Sequence, residues 1–446
     1  MTMERVAVKG AGTLLSAFDV SGFAVSAMAQ AAGAMARLAQ HHGSSSPAVT
    51  VDRDLASLWF GQSFTPVGWE LPPVWDAIAG DYRCADGWIR LHTNAPHHRA
   101  AALGVLGLEA GAARATVASA VGHWNGEELE AAVVAANGCA ALMRSPEQWL
   151  AHPQGAAVAA EPLVAWGAGR LTDDAGAPGH ARVASAGRPL AGVRVLDLTR
   201  VIAGPVATRF LAMYGADVLR IDPPGWEEAG LEAEMSVGKH CARLDLKQPS
   251  DLAVLEGLLA GADIFIHGYR PDALDRLGFS DEALAVRHRN LVSVALDAYG
   301  WSGPWANRRG FDSLVQMSCG IAHSGMLHFG ADTPHPLPVQ ALDHATGYLC
   351  AGAAVDAWLG RLEGTARNAR LSLARTALEL MKSGPSDPAA PLPCAEPASL
   401  VAEETVRGPG LRLPPAVVIE GVPMSTDVQA RGFGSAPPRW ADGTGA

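Results

Sequence analysis

The segment between residues 193 and 226 constrains the fold of this 446-residue chain more than any other. Val193–Leu198 is a short run of β-branched and apolar residues, which predicts a buried strand. A helical pattern opens at Gly204 and Pro205, and proline is tolerated in the first turn of a helix. Asp217–Asp222 predicts a second strand. A strand, a turn, a helix and a strand within about thirty residues indicate a parallel βαβ unit.

A sheet built from such units binds its ligands at the carboxyl ends of its strands, which here means around Thr199–Gly204. The connection contains the single glycine Gly204 and no G-x-G-x-x-G pattern, and a P-loop is also missing from the sequence. Dinucleotide binding in the usual manner is therefore not expected. The sheet would serve another phosphate-bearing ligand, or none.

The alternation of strands and helices continues beyond residue 226 and predicts an α/β fold. Further strands are predicted at Cys241–Leu246, Asp263–His267 and Leu291–Ala298, and helices at residues 250–260, 272–289, 312–322, 343–362 and 370–381. Before this region, Tyr82–His92 predicts a hairpin with its turn at Asp86-Gly87. We divide the chain into a smaller α+β domain with an N-terminal helix (1–185), a sheet domain (186–385) and an extended C-terminal tail (386–446).

The composition argues against several classes of partner. The net charge of −11 disfavours nucleic acid and an anionic membrane surface, since phosphate binding needs clustered Lys and Arg. No uninterrupted apolar run is long enough to span a bilayer. Asp19 interrupts the apolar pattern near the N-terminus, which favours a packed helix over a signal peptide. The six widely spaced Cys residues lack zinc-ligand spacing, which indicates reduced thiols in the cytoplasm and no metal site.

Several short motifs follow one another between residues 196 and 347. They are LDLT at Leu196–Thr199, AGP at Ala203–Pro205, GADV at Gly215–Val218, DPPG at Asp222–Gly225, LDLK at Leu244–Lys247, YRP at Tyr269–Pro271, RLG at Arg276–Gly278, GFD at Gly310–Asp312, and Asp343 with Gly347. Each motif is weak alone. Together, and in this order, they resemble the opening of CoA-transferase family III.

The resemblance implies a Rossmann-like parallel sheet domain, preceded by the smaller α+β domain, with coenzyme A as a co-substrate along the carboxyl edge of the sheet. The family's adenosine and phosphate contacts carry over to Val201, Ile202, Ala203, Lys239, Tyr269, Arg276 and Arg309. Lys and Arg suit phosphates because they combine charge with several donors, and a helix N-terminus at Ala203–Pro205 favours anions. Without the resemblance, Lys239 would be read as a solvated surface lysine.

Asp343 stands where the family keeps its catalytic aspartate. The resemblance implies a carboxylate nucleophile that forms an anhydride with the acyl group and then a thioester with CoA. We expect free backbone N–H groups at the helix start to stabilise the oxyanion; the alternative is that Asp343 only caps the helix. Asp312 either positions or repels charge near Asp343, or caps a helix beginning at Ser313. His344 and His323 are weaker candidates for a base.

Three features depart from the family's pattern. The segment that resembles the smaller domain comes first, as in a permuted chain or one cut from the middle of a duplicated ancestor. The glycine-rich loop that covers the active site in some members has no counterpart, and Pro223 stands where some members carry a basic residue. Phe311 occupies the position of a His in the related α-methylacyl-CoA racemases, and Phe cannot move a proton.

These observations predict a cytoplasmic CoA-transferase that moves CoA between an acyl-CoA and a carboxylic acid. The resemblance also implies an interlocked homodimer, in which each chain threads the other. Two alternatives stay open: an isomerase or racemase acting on a CoA ester, and a catalytically silent CoA-binding subunit.

Overall fold

The computed structural model describes residues 6–172, 178, 181, 183–388, 390–393 and 399–440. The 22-residue helix α1, shorter helices and short strands make up the first of these ranges. They are β1 (Val6–Lys9), α1 (Val20–His41), β2 (Val49–Asp52), α2 (Arg53–Trp59), β3 (Phe64–Pro66), β4 (Gly80–Arg83), β5 (Trp88–Leu91), α3 (Pro96–Val105), α4 (Arg114–Val121), α5 (Gly126–Ala135), β6 (Ala140–Leu142), α6 (Pro146–Ala151), α7 (Pro153–Ala160), β7 (Ala165–Trp166) and β8 (Arg170–Leu171).

Residues 78–142 form a hairpin module with an apolar core of its own. Strands β4, β5 and β6 pair antiparallel, and helices α3, α4 and α5 pack on them. The hairpin predicted from the sequence is confirmed: β4 pairs with β5, and the turn between them includes Asp86 and Gly87. The chain leaves β5 at His92, which brings a histidine and an asparagine, Asn94, to the site described below.

The second half of the chain alternates strands with helices. The elements are β9 (Arg194–Leu198), α8 (Ala203–Met213), β10 (Asp217–Asp222), α9 (Glu232–Met235), β11 (Lys239–Arg243), α10 (Pro249–Ala260), β12 (Ile264–His267), α11 (Pro271–Arg276), α12 (Asp281–Arg287), β13 (Val292–Asp297), α13 (Asp312–Ser318), α14 (Ile321–Phe329), α15 (Ala341–Leu362), β14 (Thr365–Ala366), β15 (Ala369–Ser372) and α16 (Leu373–Leu380).

Six of these strands form the parallel sheet that the sequence predicts. The order is β11-β10-β9-β12-β13-β15, with β7 antiparallel at the edge beside β15. From β9 the chain first adds β10 and β11 on one side of that strand. It then crosses back and adds β12, β13 and β15 on the other side. The order reverses between β9 and β12, and the loops that follow these two strands meet at the edge where such sheets bind ligands.

The helix boundaries differ from the sequence prediction at three places. The helix expected over residues 272–289 is divided into α11 and α12 by residues 277–280, where Gly278 has a φ of 82°. The helix expected over residues 312–322 is divided by Gly320, whose φ of 89° is a left-handed conformation that breaks the helix, and α14 then continues to Phe329. The helix expected over residues 370–381 begins only at Leu373, because Ala369–Ser372 pairs with β13 as the sixth parallel strand. Burial of this short strand against its neighbour overrides the helical pattern of its side chains.

The described part of the C-terminal region contains strands that its Pro- and Gly-rich composition does not predict. They are β16 (Val401–Thr405), β17 (Gly408–Arg412) and β18 (Val417–Ile419). Strand β17 pairs with β16 and β3, and β18 pairs with β2, which also pairs with β1. Strand β18 is thus joined through β2 to β1, the first strand of the chain, in one hydrogen-bonded sheet. The division into three domains stays a prediction.

The described cysteines, Cys84, Cys139, Cys241, Cys319 and Cys350, are buried free thiols, and Cys394 lies outside the described residues. None of the helices in the described ranges is both long and apolar enough to cross a bilayer.

Helix α15 is the centre of the largest apolar core. Its 22 residues are buried along almost their whole length, between α1, α8 and the sheet. The contact with α8 is close at Gly347, where a Cβ atom would lie 2.4 Å from the carbonyl oxygen of Ala203 and 2.8 Å from Cβ of Val206. Because one of these neighbours is backbone, the helices would have to separate to admit a side chain. Gly347 therefore sets the distance between α15 and the first turn of α8.

We expect Gly347→Ala to destabilise the fold by about 1–3 kcal/mol through this overpacking, although Ala is the better helix former. Gly257→Ala in α10 is the matched control, because a Cβ atom there would meet nothing within 4 Å; it should stabilise the protein by about 0.5–1 kcal/mol. Chemical denaturation of the two variants checks the opposite signs. A stabilising Gly347→Ala would contradict the close contact.

Candidate active site

A cavity of about 430 Å³ opens beside the N-terminus of α15. Its walls come from four parts of the chain that are distant in sequence. They are the segment around β3 with residues 71–75, the end of β5, the loop after β9 with residues 230–235, and the starts of α13 and α15. Both carboxyl groups proposed from the sequence, Asp312 and Asp343, line this cavity, as do Val201 and Ile202. The fold thus brings together residues more than a hundred positions apart.

Asp343 does not cap its helix. It lies in the first turn of α15, whereas the N-cap position belongs to Gln340. Only 7% of its surface is exposed, and within the described residues its carboxyl group accepts no hydrogen bond. Burial, and then the like charge of Asp312, raise the pKa of Asp343 well above its usual range. The carboxyl group is therefore held at the cavity without a structural partner.

Asp312 performs the capping that the sequence analysis considered for Asp343. Its Oδ2 accepts the backbone N–H of Asp343 at 2.9 Å, and the N–H of Leu342 also points to it. Its Oδ1 accepts the amide of Gln316 at 2.5 Å. Asp312 makes no cap for its own helix, α13, whose N-cap is Phe311. Burial raises the pKa of Asp312 to about 6, partly offset by these hydrogen bonds.

The sequence analysis expects free backbone N–H groups at the start of α15 that could stabilise an oxyanion. The capping by Asp312 contradicts that expectation. The N–H of Asp343 already bonds to Asp312, that of Leu342 is directed at the same carboxyl group, and that of Ala341 donates to Val339 O at 2.8 Å. Their donors are therefore not free for a substrate. A different polar group is available at the cavity, because Ser313 lines it and its buried Oγ lacks a hydrogen-bond partner in the described structure.

Of the two histidines weighed as bases, only His344 lines the cavity, and burial lowers its pKa to about 3. The sequence analysis overlooked His92. Its ring stacks on Phe311 with the centroids 3.7 Å apart, and its buried Nδ1 has no partner among the described groups. Burial, then the neighbouring His98 and Arg90, lower the pKa of His92 to about 3. Both cavity histidines are thus neutral at physiological pH.

The loop after β9 is held in a strained conformation. Val201 has a φ of 64°, which is rare for a β-branched residue. Its N–H donates to Glu228 Oε1 at 2.8 Å, while Glu228 Oε2 pairs with the fully buried Arg220 at 2.9 Å. Val201 and Ile202 consequently border the cavity, and Ala203 begins α8 behind them. A network of buried charges fixes the backbone at the edge of the sheet.

Lys239 lies inside the protein instead of at its surface. Its ammonium group is fully buried, 2.9 Å from Pro205 O and 3.3 Å from Asp197 Oδ2. Asp197, at the end of β9, also accepts hydrogen bonds from Thr199 and Thr208. Burial lowers the pKa of Lys239 to about 8, against the opposing charge of Asp197. This position gives Lys239 a role in joining β11, β9 and α8, and does not support the phosphate contact predicted for it.

Four arginines gather outside the cavity, around the ends of β9 and β12. We call Arg200, Arg270, Arg276 and Arg309 the arginine cluster. The guanidinium of Arg200 lies 4.9 Å from the ring centre of Trp226 and 5.0 Å from that of Tyr269. Arg270 and Arg276 share Asp272, whereas in the described structure Arg200 and Arg309 pair with no carboxylate.

The members of the arginine cluster act on one another electrostatically. The pKa of Arg270 is lowered by burial and then by Arg309, with a smaller contribution from Arg276. Arg309 and Arg200 both help to lower the pKa of His97, after its burial. The sequence analysis predicts CoA contacts at Tyr269, Arg276 and Arg309. The structure places two further arginines, Arg200 and Arg270, beside them. Arg200 and Arg270 could have been found, because they directly follow predicted strands at their carboxyl ends.

The described residues contain no group of three His, Cys, Asp or Glu side chains that could hold a metal ion. Fold and site together describe an α/β protein with a parallel sheet, a buried pair of carboxyl groups and an external group of arginines at one edge. Residues 190–391 match the sequence model of CoA-transferase family III. The matched part of the chain is similar to that family and contains both carboxyl groups, Asp312 and Asp343.

Relatives named as CoA-transferases resemble the chain over about as many residues as the family model matches. It is 37% identical over 181 residues to acetyl-coenzyme A transferase nodX of Hypoxylon pulicicidum, which covers 40% of this chain and 30% of that protein. It is 32% identical over 190 residues to succinyl-CoA:glutarate CoA-transferase of Mus musculus, covering 39% and 42%. The chain spans about a third to a half of the length of the first such relatives.

A solved structure, that of Rv3272 from M. tuberculosis, is 28% identical and covers 44% of this chain and 58% of its own, with a TM-score of 0.39.

We expect Lys239→Met to lower the free energy of unfolding by about 3–5 kcal/mol, because Asp197 would be left buried without its cation. Lys247→Ala on the surface is the control and should change stability by less than about 0.5 kcal/mol. Denaturant titration measures both. A Lys239→Met protein of unchanged stability but reduced affinity for CoA would restore the phosphate contact predicted from the sequence.

Proposed function

We propose that this chain transfers CoA between an acyl-CoA and a carboxylic acid, with Asp343 as the nucleophile. The observation that carries the proposal is the state of the Asp343 carboxyl group: buried at a cavity, free of hydrogen bonds from the described residues, and placed at the carboxyl edge of the sheet. A structural carboxylate is normally hydrogen-bonded when it is buried. An unpaired one at a cavity is typical of a catalytic group.

The reaction would proceed through two covalent states of Asp343. The carboxylate attacks the thioester carbonyl, an anhydride forms, and the C–S bond breaks to release the CoA thiolate. The thiolate then attacks the Asp343 carbonyl carbon, which releases the donor acid and leaves an aspartyl-CoA thioester. An acceptor carboxylate repeats these two steps in reverse order and restores the free carboxylate. No net proton is taken up or released.

The arginine cluster would hold the phosphates of CoA. Arg200 and Arg309 have no carboxylate partner in the described structure and can therefore pair with phosphate oxygens. The pantetheine arm would pass the strained turn at Val201 and Ile202, which lies next to Arg200 in the chain and borders the cavity. We further propose an interlocked homodimer acting in the cytoplasm, as implied by the family resemblance.

Asp312 would act as a positioning residue. By capping α15 it fixes the backbone of Asp343, and by its charge it keeps that carboxyl group basic. Ser313 would donate a hydrogen bond to the substrate in place of the occupied N–H groups of α15. The chemistry therefore needs only groups from the starts of two neighbouring helices.

The presence of His92 at the cavity gives the isomerase alternative one supporting observation, because an imidazole lies against Phe311. Its pKa of about 3 makes it a weak base for removing a proton next to a thioester. Exchange of that proton in heavy water, dependent on His92, would favour the isomerase. Binding of CoA without exchange or covalent adduct would favour a silent CoA-binding subunit.

Asp343→Asn should lower the transfer rate by at least about 10³-fold and abolish the adduct that hydroxylamine or borohydride traps on the peptide containing Asp343. The same variant should be more stable than the wild type, because it removes a buried charge that accepts no hydrogen bond. The pKa of Asp343 is raised in the folded state, so the folded wild type favours the protonated carboxyl group and loses stability as the pH rises. The difference in unfolding free energy between Asp343→Asn and the wild type should therefore grow with pH.

Asp332→Asn, at an exposed position, is the control and should alter neither property. Full turnover by Asp343→Asn would rule out the proposed nucleophile. Loss of about 1 kcal/mol of stability in Asp343→Ala, with activity retained, would instead indicate a helix cap.

The rate of transfer should rise with pH as the carboxyl pair loses its proton, since only the ionised Asp343 attacks. Asp312→Asn removes the like charge that raises the pKa of Asp343, while its side-chain oxygen can still accept the N–H of α15. We therefore expect the acidic limb of the kcat/KM profile to move to lower pH in this variant. An unchanged limb, or one moved to higher pH, would disprove the coupling.

A further inference from the structure

The ionisable side chains that line the cavity in the described structure are acids and histidines. Among the described residues no Lys or Arg lines it, whereas three acids do: Asp312, Asp343 and Glu234. Its two histidines, His92 and His344, are neutral at physiological pH because burial lowers their pKa to about 3. A substrate entering this space meets no positive charge from the described chain.

The nearest cations behind the wall are already engaged. Glu234 forms an ion pair with Arg209, in which Oε1 of Glu234 lies 2.5 Å from Nη1 of Arg209. Nη1 of Arg412 lies 3.6 Å from Oε2 of Glu234. Arg412 also bonds to Glu403. Burial is outweighed by these two arginines, which lower the pKa of Glu234 to about 2. Glu234 therefore stays ionised, and the charge of each arginine is paired with an acid of the wall or behind it.

The remaining surface of the cavity is mostly apolar. Phe64, Leu71, Val74, Trp75, Met235 and Phe311 contribute to it. The uncharged polar groups are few, among them Asn94 and Ser313. Such walls bind a hydrocarbon group well and offer a few hydrogen bonds for orientation.

A dicarboxylic substrate would place its second carboxylate in this space. Moving an ionised carboxylate out of water without a counter-charge costs several kcal/mol, and no Lys or Arg of the described wall is there to offset that cost. The single carboxylate of a monocarboxylic acid avoids this problem, because it is the reacting group and becomes part of an uncharged anhydride with Asp343 or an uncharged thioester with CoA.

Building on the proposed CoA transfer, we infer that the acids used by this chain are apolar monocarboxylic acids, and that the cavity around Asp343, which no described Lys or Arg lines, rejects dicarboxylic acids. The arginine cluster lies outside the cavity and is reserved for phosphates. The selection therefore depends on the separation of the basic residues from the space that receives the acyl group.

The test compares acids of equal chain length as acceptors for the full chain: butyrate with succinate, and hexanoate with adipate, each with acetyl-CoA as donor. Products are quantified by mass spectrometry. We expect kcat/KM to be at least about 10²-fold higher for the monocarboxylic member of each pair. Equal or better use of the dicarboxylic members would overturn the inference while leaving the proposed CoA transfer intact. No transfer to any acid, and no adduct on Asp343, would overturn both.

Val74→Arg tests the electrostatic cause. Val74 lines the cavity but is 47% exposed, so a longer side chain can be accommodated at the rim. The added guanidinium should raise the ratio of dicarboxylic to monocarboxylic transfer at least about 10-fold. Val67→Arg is the matched control, because Val67 is equally exposed and does not line the cavity; its ratio should equal that of the wild type. An unchanged ratio in Val74→Arg would count against the inference.

Discussion

The hydrogen bond from the backbone N–H of Asp343 to the carboxyl group of Asp312 is the interaction on which the site depends. It caps the central helix, α15, with a side chain from a different helix, and so fixes the start of α15 relative to α13. The same contact brings a second acidic group next to Asp343, whose own carboxyl group accepts no hydrogen bond from any residue that the structure describes. One pair of residues thus stabilises the start of α15 and positions the carboxyl group that we propose as the nucleophile.

The positions of the basic residues separate two tasks. Lys239, Arg209 and Arg220 are buried and pair with acids that hold strands and loops in place. The arginine cluster stands at the edge of the sheet, where two of its members have no acidic partner in the described structure. Between these groups lies a cavity whose described walls carry acids and apolar side chains. A ligand with a charged end and an uncharged end would be oriented by this gradient before any specific contact forms.

Local patterns in the sequence predicted much of the fold. The βαβ unit, the parallel strands and the hairpin at Tyr82–His92 were within reach because each rests on short-range periodicity and turn residues. The burial of Lys239 was not, since it depends on pairing with Asp197 across forty-two positions. The capping of α15 by Asp312 and the stacking of His92 on Phe311 are likewise contacts between distant segments. Motif order could indicate Asp343, but its missing hydrogen bonds are visible only in three dimensions.

The pairing of β17 with β3 has a consequence for how the chain matures. Phe64, on the wall of the cavity, belongs to a strand whose hydrogen-bonded neighbour is Gly408–Arg412, almost 350 residues later. Arg412 also reaches Glu234 on the same wall. On the ribosome, the cavity must stay unfinished until this late segment emerges, and contacts so far apart in sequence form slowly. The parallel sheet of a nascent chain can therefore form well before the wall of the cavity is complete.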